Sequence, residues 1–153
     1  MGNICRSPSA EGVFRQVMKT EPSDHIVLVD SAGTHAYHIG DAPDERSIAA
    51  AARRHIDISR LRARQVAADD FETFDLIVAM DRYNLDCLSE MCPKEHDHKL
   101  RLMLDFAEGI SESEVPDPYY GGPDGFEAVL NLLENACLGL IAHTQRQSVS
   151  SVQ

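Results

Sequence analysis

The sequence predicts an α/β fold built on a doubly wound parallel sheet with helices on both faces. Three observations indicate this class. Helical and strand patterns alternate along the 153 residues, the strand segments are continuous apolar runs of the kind buried on both faces, and a loop of small residues leads directly into the first helix. Strands that alternate with helices form parallel sheets covered by those helices. We expect one domain over residues 1–145 and a disordered polar tail over residues 146–153.

The first half of the chain contains two predicted helices and one predicted strand. Apolar residues at helical spacing predict a helix over residues 7–19, which Pro22 and its polar neighbours end. A continuous β-branched run predicts a buried strand over residues 26–29. Pro43 then precedes a second helix, predicted over residues 44–55. No strand pattern precedes the first helix, although folds of this class normally begin with one.

The second half repeats the alternation and ends in a long helix. A second buried strand is predicted over residues 74–80, followed by a helix that Asp81 caps. A weaker third strand covers residues 100–104, and a loop follows over residues 105–122. The last helix carries one apolar stripe that should face the core: Phe126, Val129, Leu130, Leu133, Cys137, Leu140 and Ile141.

Composition and charge exclude several classes of function. The formal net charge of -11 argues against binding to nucleic acid or to an anionic membrane surface. We find no apolar run long enough to span a membrane and no secretory signal. The four cysteines form neither a CxxC pair nor a disulfide framework, so we expect a reduced, cytoplasmic protein.

The opening segment, with the sequence GNICRSP at residues 2–8, has the composition of an anion-binding loop. Its small residues allow backbone amides to converge on an anion, and the Arg6 guanidinium offers a planar fork of donors for phosphate oxygens. Ser7 can cap the following helix, with Pro8 at its first position. The predicted loop consists of Gly2, Asn3, Ile4, Cys5, Arg6 and Ser7.

These residues resemble the low molecular weight protein tyrosine phosphatase family, whose loop reads Cys, any residue, then Gly-Asn-Ile-Cys-Arg-Ser-Pro. The resemblance covers nearly the whole chain. Its motifs are residues 1–8, 30–34, 38–40, 43–44, 62–65, 74–77 with 80–81, and 117–121. It implies a four-stranded sheet, of which the sequence shows three strands.

The resemblance also implies a mechanism and a set of roles. A cysteine thiolate attacks phosphotyrosine and forms a phosphocysteine intermediate, while Arg6 binds the phosphate oxygens. Asp117 is implied as the general acid, and Tyr119 and Tyr120 as an aromatic wall beside the phenyl ring. Asn3 and Ser31 would hold the shape of the loop, and Ser7 would stabilise the thiolate. No metal or cofactor is implied. The implied partner is a phosphotyrosine protein, such as a bacterial tyrosine kinase.

The chain departs from this pattern at the nucleophile. In the family, the nucleophilic cysteine immediately precedes the position of Met1, six residues before Arg6; Cys5 is the second cysteine of the loop. We therefore expect that Met1 is an alternative start, that a first strand and the nucleophile lie upstream, and that these 153 residues are inactive by themselves.

Other interpretations remain open. A pseudophosphatase would bind phosphate without catalysis. Arsenate reductases share the fold but carry an extra cysteine pair, whereas here Met80 stands where the first would be expected. Arginine phosphatases have threonine where this chain has Ile4. A zinc site is a further possibility, on four residues: Cys87, Cys92, His96 and His98.

Overall fold

The structure is a computed structural model that describes residues 1–21 and 27–150, with side chains up to residue 146. Two parallel strands and five α-helices make up its regular structure. In chain order they are α1 (Arg6–Thr20), α2 (Glu45–Ala52), α3 (Ala68–Thr73), β1 (Ile77–Ala79), α4 (Arg82–Met91), β2 (Leu100–Leu102) and α5 (Pro123–Ser150). Two 3₁₀-helices, Lys94–Lys99 and Met103–Phe106, flank β2.

The sheet confirms the predicted parallel arrangement. In β1 and β2, Ile77 pairs with Leu100, and Ala79 pairs with Leu102. The helix α4 connects the two strands, as a parallel pair requires. One apolar cluster on this sheet includes Phe71, Leu88 and Leu102, and a larger one brings together α1, α5 and Met103. Helices therefore cover both faces, and the fold is α/β as predicted.

The predicted strand at residues 26–29 is wrong for the part that the structure describes. Residues 27–30 are irregular, and residue 26 lies outside the described range. The described sheet thus has two strands where the sequence predicted three. A strand is stabilised by the ladder it shares with a neighbour, and no described residue makes a backbone–backbone hydrogen bond to residues 27–30. Residues 27–29 have strand composition but no strand neighbour among the described residues.

The core is dominated by the contact between α1 and α5. All seven residues of the predicted apolar stripe of α5 are buried, which confirms the stripe. The helix continues to Ser150, past residue 145 where the polar tail was predicted, because no Gly or Pro after residue 139 interrupts its hydrogen bonds. Residues 151–153 lie outside the described range. By length and composition alone, the Pro123–Arg146 part of α5 is apolar enough to cross a membrane, which corrects the expectation that the chain has no such run. The core helix of a folded protein can meet the same criterion.

One predicted helix cap, Asp81, is confirmed and another, Ser7, is wrong; Asp44 is a cap that was predicted only as the start of its helix. The Asp44 side chain accepts from the amide of Arg46 at the start of α2, and Asp81 accepts from the amide of Asn84 at the start of α4. Ser7 does not cap α1: the helix begins one residue earlier, at Arg6, with Cys5 as its N-cap residue. The hydroxyl of Ser7 instead accepts a hydrogen bond from the loop.

Candidate active site

The loop before α1 is organised around Asn3. This residue has a left-handed backbone conformation (φ 60°), and it is buried, with a relative exposure of 5%. Its amide nitrogen donates to the hydroxyls of Ser7 at 2.8 Å and Ser31 at 3.1 Å. Its amide oxygen accepts from the backbone N–H of Arg64 at 3.1 Å. Three bonds to three segments hold this strained residue in place; the supporting roles implied for Asn3 and Ser31 stay a prediction.

Backbone contacts fix the two flanks of the loop. The carbonyl of Met1 accepts from the amide of His35, and the carbonyl of Ile4 accepts from the amide of Asp44 at 2.7 Å. Gly33 packs so closely that a Cβ atom there would lie 2.2 Å from the Met1 carbonyl oxygen. Among the described residues, no backbone–backbone hydrogen bond uses the amides of residues 2–5. These donors, together with the N-terminus of α1, are available to an anion.

Arg6 is the buried cation of the site. Its side chain is almost inaccessible, and its Nη1 atom donates to Asp81 at 2.5 Å and to the carbonyl of Val115 at 2.9 Å. Its Nη2 atom lies 3.6 Å from a carboxylate oxygen of Asp117. The predicted cation and the predicted general acid, which are separated by 111 positions in the sequence, therefore meet at one point of the fold.

Asp81 and Glu11 contact predicted site residues; the sequence analysis gave Asp81 only a cap role and a place in the family motif, and it did not mention Glu11. Asp81 caps α4 and also holds Arg6; the signal was its place at the carboxyl end of a strand, where such folds bind ligands. Glu11 is buried on α1, accepts from the hydroxyl of Ser31 at 2.7 Å and pairs with Arg15. Nothing in the local pattern distinguishes Glu11 from an ordinary solvated helix residue.

The loop that contains Asp117 places two tyrosines beside this acid. One Asp117 carboxylate oxygen accepts from the amide of Tyr119 at 3.0 Å, an Asx turn that leaves the other oxygen toward Arg6. The rings of Tyr119 and Tyr120 meet edge to face, with centroids 5.0 Å apart. The Arg46 guanidinium lies over the Tyr119 ring, 5.5 Å from its centroid. The edge of the site is therefore aromatic and partly exposed.

Neither Cys5 nor Cys137 has the environment of a nucleophile at this loop. Burial raises the pKa of the Cys5 thiol to about 11. Burial raises the pKa of Cys137 to about 12. Both thiols stay protonated at neutral pH, and a protonated thiol is a poor nucleophile. Cys5 is buried in the loop and is the N-cap residue before α1.

The residues considered for zinc do not form a cluster. Across the described residues, no group of three or more His, Cys, Asp or Glu side chains is placed to hold a metal ion. His96 instead lies 3.0 Å from a carboxylate oxygen of Glu72, and the buried thiol of Cys92 donates to the carbonyl of Pro93.

The site opens into a cavity of about 900 Å³. The loop, Asp117 and the two tyrosines line it, and so do interior residues of α1 and α5, including Phe14 and Leu140. The anion site and part of the apolar interior therefore share one continuous space.

The comparisons with known proteins agree with this geometry. The family model for low molecular weight phosphotyrosine protein phosphatase matches residues 1–150, and the chain belongs to this family. A low molecular weight protein-tyrosine-phosphatase of Streptomyces coelicolor is 41% identical, over 95% of this chain and 90% of its own length. A protein tyrosine phosphatase structure from Entamoeba histolytica superimposes with a TM-score of 0.93, at 40% identity over 97% of this chain and 94% of its own. The Wzb structure from Vibrio vulnificus has a TM-score of 0.79 at 27% identity, over 94% and 93%.

Proposed function

We propose that this protein hydrolyses phosphotyrosine in proteins through a phosphocysteine intermediate, with the thiolate supplied by a cysteine that precedes Met1. The observation that carries the proposal is the meeting of unpaired loop amides, the buried Arg6 cation and the Asp117 carboxylate beside exposed tyrosines. This is the chemistry needed to bind a tetrahedral dianion attached to an aromatic ring. Its Vibrio vulnificus relative was solved in complex with benzylphosphonate, a ligand with both parts.

The proposed reaction has two steps. In the first, the thiolate sulfur attacks phosphorus, the S–P bond forms, the bond between phosphorus and the phenolic oxygen breaks, and protonated Asp117 gives its proton to the departing phenolate. In the second, Asp117 takes a proton from water, the water oxygen attacks phosphorus, and the S–P bond breaks to regenerate the thiolate. Arg6 and the loop amides bind the phosphoryl oxygens in both transition states.

The same proposal predicts that residues 1–153 alone do not turn over substrate. The described cysteines at the loop and in the core are protonated at neutral pH, so the loop by itself would bind phosphate without cleaving it. This is the pseudophosphatase alternative, and it becomes the better account if no upstream cysteine exists. A bacterial tyrosine kinase as the substrate, and a cytoplasmic location, remain part of the proposal.

The test is to read the frame upstream of Met1 and to assay the extended chain. We expect a cysteine codon directly before Met1, preceded by an apolar strand; a stop codon there would contradict the proposal. The extended chain should hydrolyse p-nitrophenyl phosphate and phosphotyrosine peptides, and the 153 residues alone should not.

Two variants of the extended chain then test the general acid. Asp117→Asn should lower kcat on a phosphotyrosine peptide by about 10²–10⁴-fold. It should have a smaller effect on p-nitrophenyl phosphate, because that leaving group needs less protonation. Asp124→Asn, at an exposed position in the first turn of α5, is the matched control and should leave both rates unchanged. Equal effects of Asp117→Asn on the two substrates would argue against the role of Asp117 as the acid.

A further inference from the structure

We infer that the stacked rings of Tyr83 and His35, at the edge of the active-site cavity, form a subsite that binds an arginine side chain of the protein substrate. The inference rests on the proposed function, because it places a phosphotyrosine of the same substrate at the loop. It adds a substrate preference: a phosphotyrosine with an arginine one or two residues away binds better than one without it. The position, the rings and the charge of this surface define the arginine subsite.

The arginine subsite lies directly beside the cavity that contains the loop. Asn84 and Tyr37 line that cavity; Asn84 follows Tyr83 in the chain, and Tyr37 is two residues after His35. The backbone amide of His35 donates to the carbonyl of Met1 at 3.3 Å, which attaches this surface to the loop. A substrate whose phosphotyrosine enters the cavity therefore has a neighbouring residue at this edge.

The rings of the subsite are fixed and open to solvent. His35 stacks on Tyr83, with centroids 5.9 Å apart and planes 12° from parallel, and on Tyr37, at 5.2 Å and 15°. The two ring nitrogens of His35 lie 2.9 Å from the hydroxyl of Thr34 and 3.4 Å from that of Tyr83. Tyr83 is 54% exposed and Tyr37 is 70% exposed. Ordered rings with exposed faces are the surfaces on which a guanidinium stacks.

The helix that carries Tyr83 places negative charge next to these rings. Asp86 and Glu90 follow Tyr83 by three and seven positions, which puts them on the same face of α4. Both are exposed, and the ion pairs of the described residues include neither carboxylate. The Cys87 thiol raises the pKa of Tyr83, and Glu90 is among the smaller causes. The charge of Glu90 is thus felt at the Tyr83 ring.

This combination selects an arginine as the occupant. A guanidinium is planar and always charged, so it can stack on the rings and donate to a carboxylate at the same time, whereas a lysine ammonium lacks the planar face. The cation next to Tyr83 in the chain, Arg82, pairs with Glu114 at 3.2 Å. The net charge of -11 disfavours an acidic side chain at this edge.

Matched phosphopeptides test the inference on the 153-residue chain. Each carries one phosphotyrosine and one arginine, placed one or two residues before or after it, and each control carries citrulline in place of the arginine. Citrulline keeps the planar shape and removes the charge. Calorimetric titration should show that the arginine peptide of at least one register binds about 3–30-fold more tightly than its citrulline control. Equal affinities in every register would overturn the inference.

Variants of the subsite then locate the preference. Tyr83→Leu and Glu90→Gln should each reduce the ratio of the two affinities and leave the affinity for the citrulline peptide unchanged. Tyr83→Phe keeps the ring and should keep most of the ratio. Glu95→Gln, at an exposed position beyond the end of α4, is the matched control and should leave the ratio unchanged. A ratio that Tyr83→Leu does not alter would also overturn the inference.

Hydrolysis of the same peptides by the extended chain separates this inference from the proposed function. If the extended chain hydrolyses both peptides with equal kcat/KM and they bind equally, the proposed chemistry stands and the arginine subsite fails. If the arginine peptide binds better through Tyr83 but the extended chain hydrolyses neither peptide, the subsite stands and the chemistry fails. An absence of binding by every phosphopeptide would overturn the inference as well.

Discussion

Replacement of Asn3 by alanine should destabilise the protein more than most single substitutions. The change removes three hydrogen bonds, to Ser7, Ser31 and the backbone of Arg64, each of which contributes about 0.5–1.5 kcal/mol. It also places a Cβ-bearing residue without a side-chain acceptor at a φ of 60°, which costs about 1–2 kcal/mol. The expected loss in the free energy of unfolding is therefore about 2.5–6.5 kcal/mol, measured by urea denaturation.

Two further variants separate the contributions. Asn3→Gly removes the same hydrogen bonds but tolerates the left-handed backbone, so it should be less destabilising than Asn3→Ala by about 0.5–1 kcal/mol. Asn131→Ala is the matched control: this exposed side chain on α5 accepts a hydrogen bond from Arg54, and the better helix propensity of alanine offsets its loss. The reasoning would be refuted if Asn3→Ala changed the free energy of unfolding no more than the Asn131 control does.

Three other predictions concern packing, acid stability and thiol reactivity. Gly139→Ala should lower the free energy of unfolding by about 1–3 kcal/mol, because the new Cβ would lie 1.8 Å from the carbonyl oxygen of Phe106. Gly122→Ala is the control and should change little, because no atom lies near that position. Equal urea midpoints for the two variants would contradict this prediction. Hydrogen bonds from Arg54 and Arg53, which follow α2, lower the pKa of Glu127. The contribution of this half-buried carboxylate, at most about 1 kcal/mol, is present at neutral pH and is lost as the pH falls below about 4. Glu127→Gln should therefore flatten the acid limb of the stability profile, and an unchanged limb would count against the network. Cys5 and Cys137 should resist a thiol reagent at pH 7 in the native protein and react after unfolding, because burial raises the pKa of both; rapid native labelling of either would show that the thiol is accessible.

The sequence was sufficient where a local pattern and its partners lie within the chain. The stripe of α5 and the cap Asp81 could be predicted because helix periodicity and capping depend on residues a few positions apart. Arg6 could be predicted to bind phosphate because an arginine at the junction of a small-residue loop and a helix N-terminus is typical of an anion site. The position of Asp117 followed from the family motif, and the structure brings it within 3.6 Å of Arg6.

The failures of sequence reasoning have a common physical origin in long-range pairing. Residues 27–30 have the composition of a strand, but a strand also needs a neighbour, which propensity does not supply. The pairing of Arg6 with Asp81 and of Glu11 with Ser31 joins positions far apart in the chain, so no local window contains both members. Ser7 was predicted as the N-cap of α1 from its residue type, whereas in the folded loop its hydroxyl accepts a hydrogen bond from the Asn3 amide.

The central claim is that the loop at residues 2–7 and the Arg6 guanidinium bind a tetrahedral dianion. The most direct test is a titration of the isotopically labelled chain with vanadate or inorganic phosphate, followed by NMR, both alone and with the upstream segment restored. We expect the largest shifts in the amides of residues 2–7 and in the Arg6 side chain, and a much weaker affinity for the Arg6→Met variant. Shifts confined to other regions, or none in this loop even with the upstream segment restored, would contradict the account.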